Sequence, residues 1–300
     1  MKTNQPSTTA LMVSQAILYI TRQPQYKGLV PTDLAEATER ILLAFTEGKK
    51  YVQQIDSCWF KIRRCLWENF IIPGIRLHYV MRKRFIEEVT VKAINEGFTQ
   101  VVNFGAGLDT LFLRLCQRYP EVDFIEMDYP TTHAVKAKAI GDILASDGTQ
   151  PGNLRLFPTD LNDALQTQIV TQAKWFNPAR KTLFIFEAVL MYLEETSVIN
   201  LFADLQNATH EETKIIFTCI EPLQSKRNNV SGLLKFYLKL VGEPVRWTIA
   251  QEKLPDFLAD QGYTMEFIAT FKTFEESYLK NYKLPKILHQ GEYIGIAKSF

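Results

Sequence analysis

From residue 100 onward the sequence alternates short apolar runs with longer amphipathic ones, and this leaves few folds open. QVVNF (100–104), VDFIEM (122–127), NLRLF (153–157), TLFIFE (182–187) and TKIIFTCI (213–220) read as strands. Residues 109–118, 131–146, 162–174 and 195–208, lying between or after them, have helical spacing. Five such alternations predict an α/β fold whose mostly parallel sheet is covered on both faces. A helix over 251–261 follows. YTMEFIATF (263–271) and EYIGIA (292–297) then fit closing strands, arranged as an antiparallel hairpin at the sheet edge.

The first hundred residues read as helical. Thr8 or Thr9 caps a helix to about Arg22, and Pro31-Thr32-Asp33 opens another to about Gly48. Residues 51–70 continue the pattern, and a long helix is expected from Leu77 to Asn95, ended by Gly97. SGLLKFYLKLVGEP (231–244) reads as a short helix over the end of the sheet. Its sharper alternative is a membrane-surface helix presenting Lys235 and Lys239. The expectation is one domain over 1–300. It divides into a helical cap (1–98), a core (99–221), a lid or pocket insertion (222–250) and a closing helix with strands (251–300).

Charge narrows the partners. Lys and Arg number 34 against 33 Asp and Glu, a net charge of +1, so no overall basic field draws nucleic acid. ALMVSQAILYI (10–20) is too short and too polar to span a bilayer, and no membrane span is expected. Cys58, Cys65, Cys116 and Cys219 form no C-x-x-C pair. They read as reduced, mostly buried thiols of a cytoplasmic protein. His78, His133, His210 and His289 are scattered without metal-ligand spacing, so no metal is expected.

The chemistry concentrates at strand ends. In FGAGLDT (104–110), between a strand and a helix, Gly105 and Gly107 permit torsions and close approach that a side chain forbids. Asp109 is placed to cap the next helix. A dinucleotide fingerprint needs a third glycine where this chain has Thr110, and an acidic residue at a helix start suits a pyrophosphate poorly. The ammonium group of a methionine-type cofactor suits such a site better. Glu126 and Asp128 end the second strand, where a carboxylate can accept both ribose hydroxyls of a nucleoside. Asp160 follows the third strand, within reach of an adenine amino group. Glu187, inside an apolar segment, needs a partner or a task. Each has a plainer explanation, since Asp128 and Asp160 can be helix caps and Glu187 a structural acceptor. Three such turns at successive strand ends favour a cofactor site.

At these residues the chain resembles the leucine carboxyl methyltransferase family, including its bacterial branch of small-molecule O-methyltransferases. The motifs are VVNFGAGLDTLFLRL (101–115), FIEMDYP (124–130), TDL (159–161) and TLFIFEAVLMYL (182–193). GEPVRW (242–247), FLADQGY (257–263) and STTAL (7–11) add to it. The resemblance implies a Rossmann-like class I methyltransferase fold and S-adenosyl-L-methionine as cofactor, with S-adenosyl-L-homocysteine as product. It implies that Arg82, or Arg84 in its place, holds the methionine carboxylate. Gly105 and Gly107 would lie against the cofactor, Asp128 on the ribose, Asp160 and Leu161 at the adenine, and Glu187 at the amino-acid end. The chain departs from many relatives at Gln15, where they carry a basic residue.

Such an enzyme must mainly position its reactants and exclude water. A carboxylate acceptor needs no general base, whereas a hydroxyl acceptor needs one, and Glu187 and Tyr192 are the candidates. The expected reaction is O-methylation of a small-molecule carboxylate or hydroxyl. Methylation of a protein C-terminal carboxylate is the alternative within that class. Outside it stand an NAD-dependent oxidoreductase and a non-catalytic cofactor-binding scaffold. Trp67, Phe236, Tyr237 and Trp247 either line an acceptor pocket or belong to the core. The sequence leaves the acceptor and the oligomeric state open.

Overall fold

A computed structural model describes residues 7–161, 175–232, 244–282 and 288–299. The helix expected over 162–174 and most of that over 231–244, with Phe236 and Tyr237, fall outside these residues, as does the side chain of Trp67.

Seven strands form one sheet: β1 Gln100–Phe104, β2 Asp123–Asp128, β3 Leu154–Pro158, β4 Thr182–Phe186, β5 Thr213–Ile220, β6 Tyr263–Ala269 and β7 Glu292–Ser299. Their order is β3-β2-β1-β4-β5-β7-β6. The first five pair in parallel. β7 runs antiparallel to both β5 and β6. The closing strands are thus antiparallel as expected, with β7 inserted inside β6.

The central strands β1 and β4 are buried along their whole length. Helices on both faces require this of a parallel sheet, and it explains why QVVNF and TLFIF carry no charged residue and bury the polar ones they have, Gln100, Asn103 and Thr182. Side chains alternate between two apolar layers. Val101, Leu183 and Ile185 face the N-terminal helices, while Val102, Phe104, Phe184 and Phe186 face the helix Glu195–Ala208 and the C-terminal elements. The Phe104 and Phe186 rings stack at 4.8 Å between centroids, joining β1 to β4.

Helices α1 Thr8–Thr21, α2 Thr32–Leu43, α3 Thr46–Gln54, α4 Cys58–Phe70 and α5 Ile75–Asn95 precede the sheet, and α6 Leu111–Leu115 and α7 Pro130–Asp147 follow β1 and β2. The cap of α1 is Ser7, one residue before the expected threonines; its Oγ accepts the Ala10 N–H at 3.3 Å. Gln15 does not point at the glycine turn. Its Nε2 donates to the Tyr51 carbonyl at 2.7 Å, tying α1 to α3. Residues 244–250 run back over β4 and β5, where Arg246 N donates to Met191 O at 2.8 Å and Ile249 N to Ile220 O at 3.0 Å. Trp247 is buried in the core, so of the two readings for that ring the core one holds. Of the described cysteines Cys116 and Cys219 are buried, as expected of most of them, and Cys58 is exposed. Among the described residues no helix is long and apolar enough to cross a membrane.

One buried ion pair fastens β2 to α7. Lys136 Nζ lies 2.6 Å from Glu126 Oε2, both almost fully enclosed. Burial pushes the Glu126 carboxyl above its usual range despite Lys136. Lys136→Met strands that carboxylate and should cost about 3–5 kcal/mol in denaturant unfolding. The double variant Glu126→Leu/Lys136→Met should recover most of the loss.

Candidate active site

The strand order reverses between β1 and β4, and a crevice opens at the carboxyl ends of those strands. Gly105 (φ 62°) and Gly107 (φ 53°) take the chain out of β1 in left-handed conformations. A Cβ on Gly105 would lie 2.4 Å from Val189 Cγ2, and one on Gly107 would lie 3.2 Å from Ala10 Cβ on α1. The turn therefore requires glycine for both torsion and space.

The N-cap of α6 is Thr110, one residue beyond the Asp109 expected there, but Asp109 Oδ1 still accepts the N–H groups of Thr110 at 2.7 Å and Leu111 at 3.2 Å. It also sits 3.2 Å from Lys83 Nζ. Burial pushes its carboxyl upward, but Lys83, Lys136 and Arg114 outweigh this and hold it below its ordinary value. Asp128 binds the turn from β2. One of its oxygens accepts the Gly107 N–H, and the other accepts the Tyr129 N–H at 2.6 Å. Burial raises its carboxyl even so. Two N–H groups leave about half of a carboxylate's four acceptor sites available. Thr159 N donates to the Asp128 carbonyl at 2.6 Å, which brings Asp160 and Leu161 alongside.

These residues line a cavity of about 300 Å³ with Glu187, Tyr192 and the α1 residues Thr9, Ala10, Val13 and Ser14. Every site residue expected from sequence reaches this cavity except the substitute Arg84. Arg84 donates to the Leu29 carbonyl at 3.0 Å and lies over the Tyr278 ring. Arg82 and Lys83 face the cavity instead. Successive residues of a helix point about 100° apart, so 82 and 83 can share one strand end while 84 turns away.

Glu187, at the end of β4, has the partners its burial demands. Arg82 Nε donates to Oε1 and Lys83 Nζ to Oε2, each at 2.8 Å. Arg82 Nη1 also reaches both oxygens of Glu292 on β7 at 2.8 Å. The buried guanidinium is held charged, and Glu292 is held well below the usual carboxylate range; in both cases the opposite charges outweigh burial. Directly after Glu187, Ala188 sits at φ 56°, a strained conformation for a residue with a Cβ. Its N–H donates to Thr218 Oγ1 at 2.8 Å.

A second cavity of about 230 Å³ adjoins the first and shares Arg82, Ala188, Tyr192 and Arg246 with it. Its lining is largely apolar, with Met12, Ile72, Ile75, Met191 and Ile220, but His289 and Glu292 stand in its wall. His78 and His289, far apart in sequence, meet here. Their rings are edge to face at 4.7 Å, and His78 Nε2 lies 2.6 Å from Glu292 Oε2. Burial, then His78 and Arg82, outweigh Glu292 and lower the His289 pKa to about 3. Donor atoms of His78, His289 and Glu292 lie within 4.8 Å of one another, a spacing a metal could use, but both Glu292 oxygens are committed to Arg82. Sequence reading missed Lys83, His289 and Glu292. Only the unbroken run Arg82-Lys83-Arg84 on a buried helix hinted at the first.

A glycine turn after β1, an acidic end to β2 and a crevice at the β1/β4 reversal define a Rossmann-like fold of the class I methyltransferase type. A crystal structure of a methyltransferase from Thermobifida fusca shares it, with a TM-score of 0.56 over 92% of this chain and 97% of that one at 14% identity. Residues 22–206 match the leucine carboxyl methyltransferase family, and the chain belongs to it. A protein of Mycobacterium marinum named as an S-adenosyl-L-methionine-dependent methyltransferase is 30% identical over 129 residues, 43% of this chain and 38% of that protein. A protein of Caenorhabditis briggsae named as leucine carboxyl methyltransferase 1 is 28% identical over 152 residues, 44% of this chain and 46% of that protein. The matched stretch spans less than half the length of these relatives.

Two outcomes are expected. Gly105→Ala should lose at least about 1–2 kcal/mol in chemical denaturation from the left-handed torsion alone, before any clash with Val189. His289 stays neutral when folded and takes up a proton below about pH 6.5 when unfolded. Stability should therefore fall as pH drops from 6.5 toward 3, by at most about 1.4 kcal/mol per unit from this residue. The groups facing it are His78, Arg82 and Glu292. His289→Gln should show a shallower decline between pH 6.5 and 5, above the range where carboxylates contribute.

Proposed function

We propose that this chain is an S-adenosyl-L-methionine-dependent O-methyltransferase acting on a carboxylate or hydroxyl of a small molecule. The observation that carries the reading is the pair of adjoining cavities. One is built on the glycine turn and lined by the charged groups Lys83, Asp109, Asp128, Asp160 and Glu187, the other is more apolar, and they meet at Arg82, Ala188 and Tyr192. The first is near the lower bound of ligand pockets, about 300 Å³, and its residues fit the cofactor. Bare glycine backbone allows close approach, Asp128 has acceptor sites for ribose hydroxyls, and Asp160 and Leu161 lie beyond it for the adenine. Arg82 and Lys83 offer cations to a carboxylate, and Glu187 offers an anion to an ammonium group.

When bound, the cofactor supplies an electrophilic methyl group. The chain's own work is to hold the acceptor in line and keep water out. α1, residues 71–75 and residues 244–248 wall the second cavity for that purpose. A carboxylate acceptor needs nothing more. For a hydroxyl acceptor Glu187 is poorly available as a base, since its oxygens are committed to Arg82 and Lys83, and His289, in the wall of the second cavity, is a weak one because its pKa is lowered to about 3; this favours the carboxylate. Tyr192, at the junction, positions the acceptor. A protein C-terminal carboxylate is the second acceptor class, suggested by the name of the Caenorhabditis briggsae relative. We place the work in the cytoplasm, in keeping with the free thiols of Cys58, Cys116 and Cys219, and with no nucleic-acid partner.

Calorimetry with S-adenosyl-L-methionine and S-adenosyl-L-homocysteine tests the reading. Wild type should bind in the micromolar range, and Asp128→Ala should lose about 10–100-fold through its ribose and turn hydrogen bonds. A folded wild type that binds neither would overturn it in favour of a scaffold; binding of NAD would favour an oxidoreductase.

A further inference from the structure

Helix α4 carries an apolar stripe that the rest of the described chain does not cover. Trp59 is 81% exposed, Ile62 55%, Leu66 54% and Phe70 71%. Their spacing of three, four and four residues places all four on one helical face. Phe60, on another face, is buried and packs against Tyr19 of α1, so the helix is anchored on its inner side. Scattered surface apolar residues are ordinary, but four in line with two large aromatics at the ends are a contact surface.

Charge on the same helix selects the partner. Its sequence carries Lys61, Arg63 and Arg64 against the single acid Glu68. Glu68 is only 16% exposed and is paired with Arg76 of α5, so the one negative charge is turned inward. A basic, apolar, aromatic-ended helix suits an anionic lipid surface. A second copy meeting this face through a two-fold axis would set the two basic helices against each other. One 13-residue helix face also falls short of the about 800 Å² per partner that a standard protein interface buries.

The position of the helix gives the contact a use. Ile72 and Ile75, just beyond its end, line the second cavity. Phe60 and Glu68 line a small cavity of about 30 Å³ that shares Met12, Ile72, Ile75 and Tyr79 with it. We propose that α4 docks this protein peripherally on an anionic membrane surface, with the exposed stripe in the interface and the apolar cavity beside it. On the acceptor reading of that cavity, the substrate it admits is a lipophilic molecule partitioned in the bilayer.

Co-sedimentation with vesicles tests the docking without knowledge of the acceptor. Binding is expected to vesicles containing about one third phosphatidylserine, weaker to pure phosphatidylcholine, and weaker as salt rises. Trp59→Ser/Phe70→Ser should lower partitioning by about tenfold or more, while thermal unfolding and S-adenosyl-L-homocysteine binding stay unchanged. Ile62→Ser/Leu66→Ser, on the same stripe, should act alike. Several results would overturn the proposal. They are absence of binding to either vesicle, binding indifferent to phosphatidylserine, partitioning unchanged in both variants, or a wild-type dimer that the variants abolish. Failure here with cofactor binding intact would leave the methyltransferase reading standing, and loss of cofactor binding alone would leave the docking standing.

Discussion

The Arg82 guanidinium holds the site together. It sits between Glu187 at the end of β4 and Glu292 at the start of β7, and it comes from α5, which precedes the sheet. One side chain thus ties the N-terminal helices to two strands that flank β5 in the sheet. A buried ion pair adds little net stability, because desolvation offsets attraction, but breaking one strands a charge at large cost. The network therefore specifies an arrangement more than it strengthens one. Lys83 and His78 extend it, so the wall between the two cavities is built of mutually dependent charges.

Around that wall the backbone is held where a side chain would not fit or would not settle. Gly105 and Gly107 take left-handed torsions against Val189 and Ala10, and Ala188 takes one with a Cβ present. The Ala188 N–H is fixed by Thr218 from the neighbouring strand. Such conformations persist only when the surroundings over-determine them, and they cluster where a ligand must come close to backbone. Ala188 faces both cavities, at the point where a transferred group would pass from one to the other.

The outer layer has a different logic. α1 and residues 244–248 close the cavities from above through apolar contacts and a few backbone hydrogen bonds, as Arg246 to Met191. α4 is attached by one face and leaves the other open. The site thus has an inner wall of buried charges and an outer wall of mainly apolar elements.

The amino-acid sequence by itself determined the strands, their parallel arrangement and the acidic strand ends. These rest on local physics: short, mainly apolar runs, glycines at forced torsions, and carboxylates placed by strand register within a short stretch of chain. Glu187 was legible for the same reason, as a charge in an apolar segment that had to find a partner. The identity of the partner was not legible. That Arg82 and Lys83 meet Glu187 while Arg84 turns to Leu29 depends on the rotation of α5 against the sheet. That His78, His289 and Glu292 converge depends on β7 entering beside β5 and not at the edge. The second cavity is made of residues from both ends of the chain. Tertiary structure alone decided it, because packing between distant elements leaves no periodicity or spacing in the sequence to read.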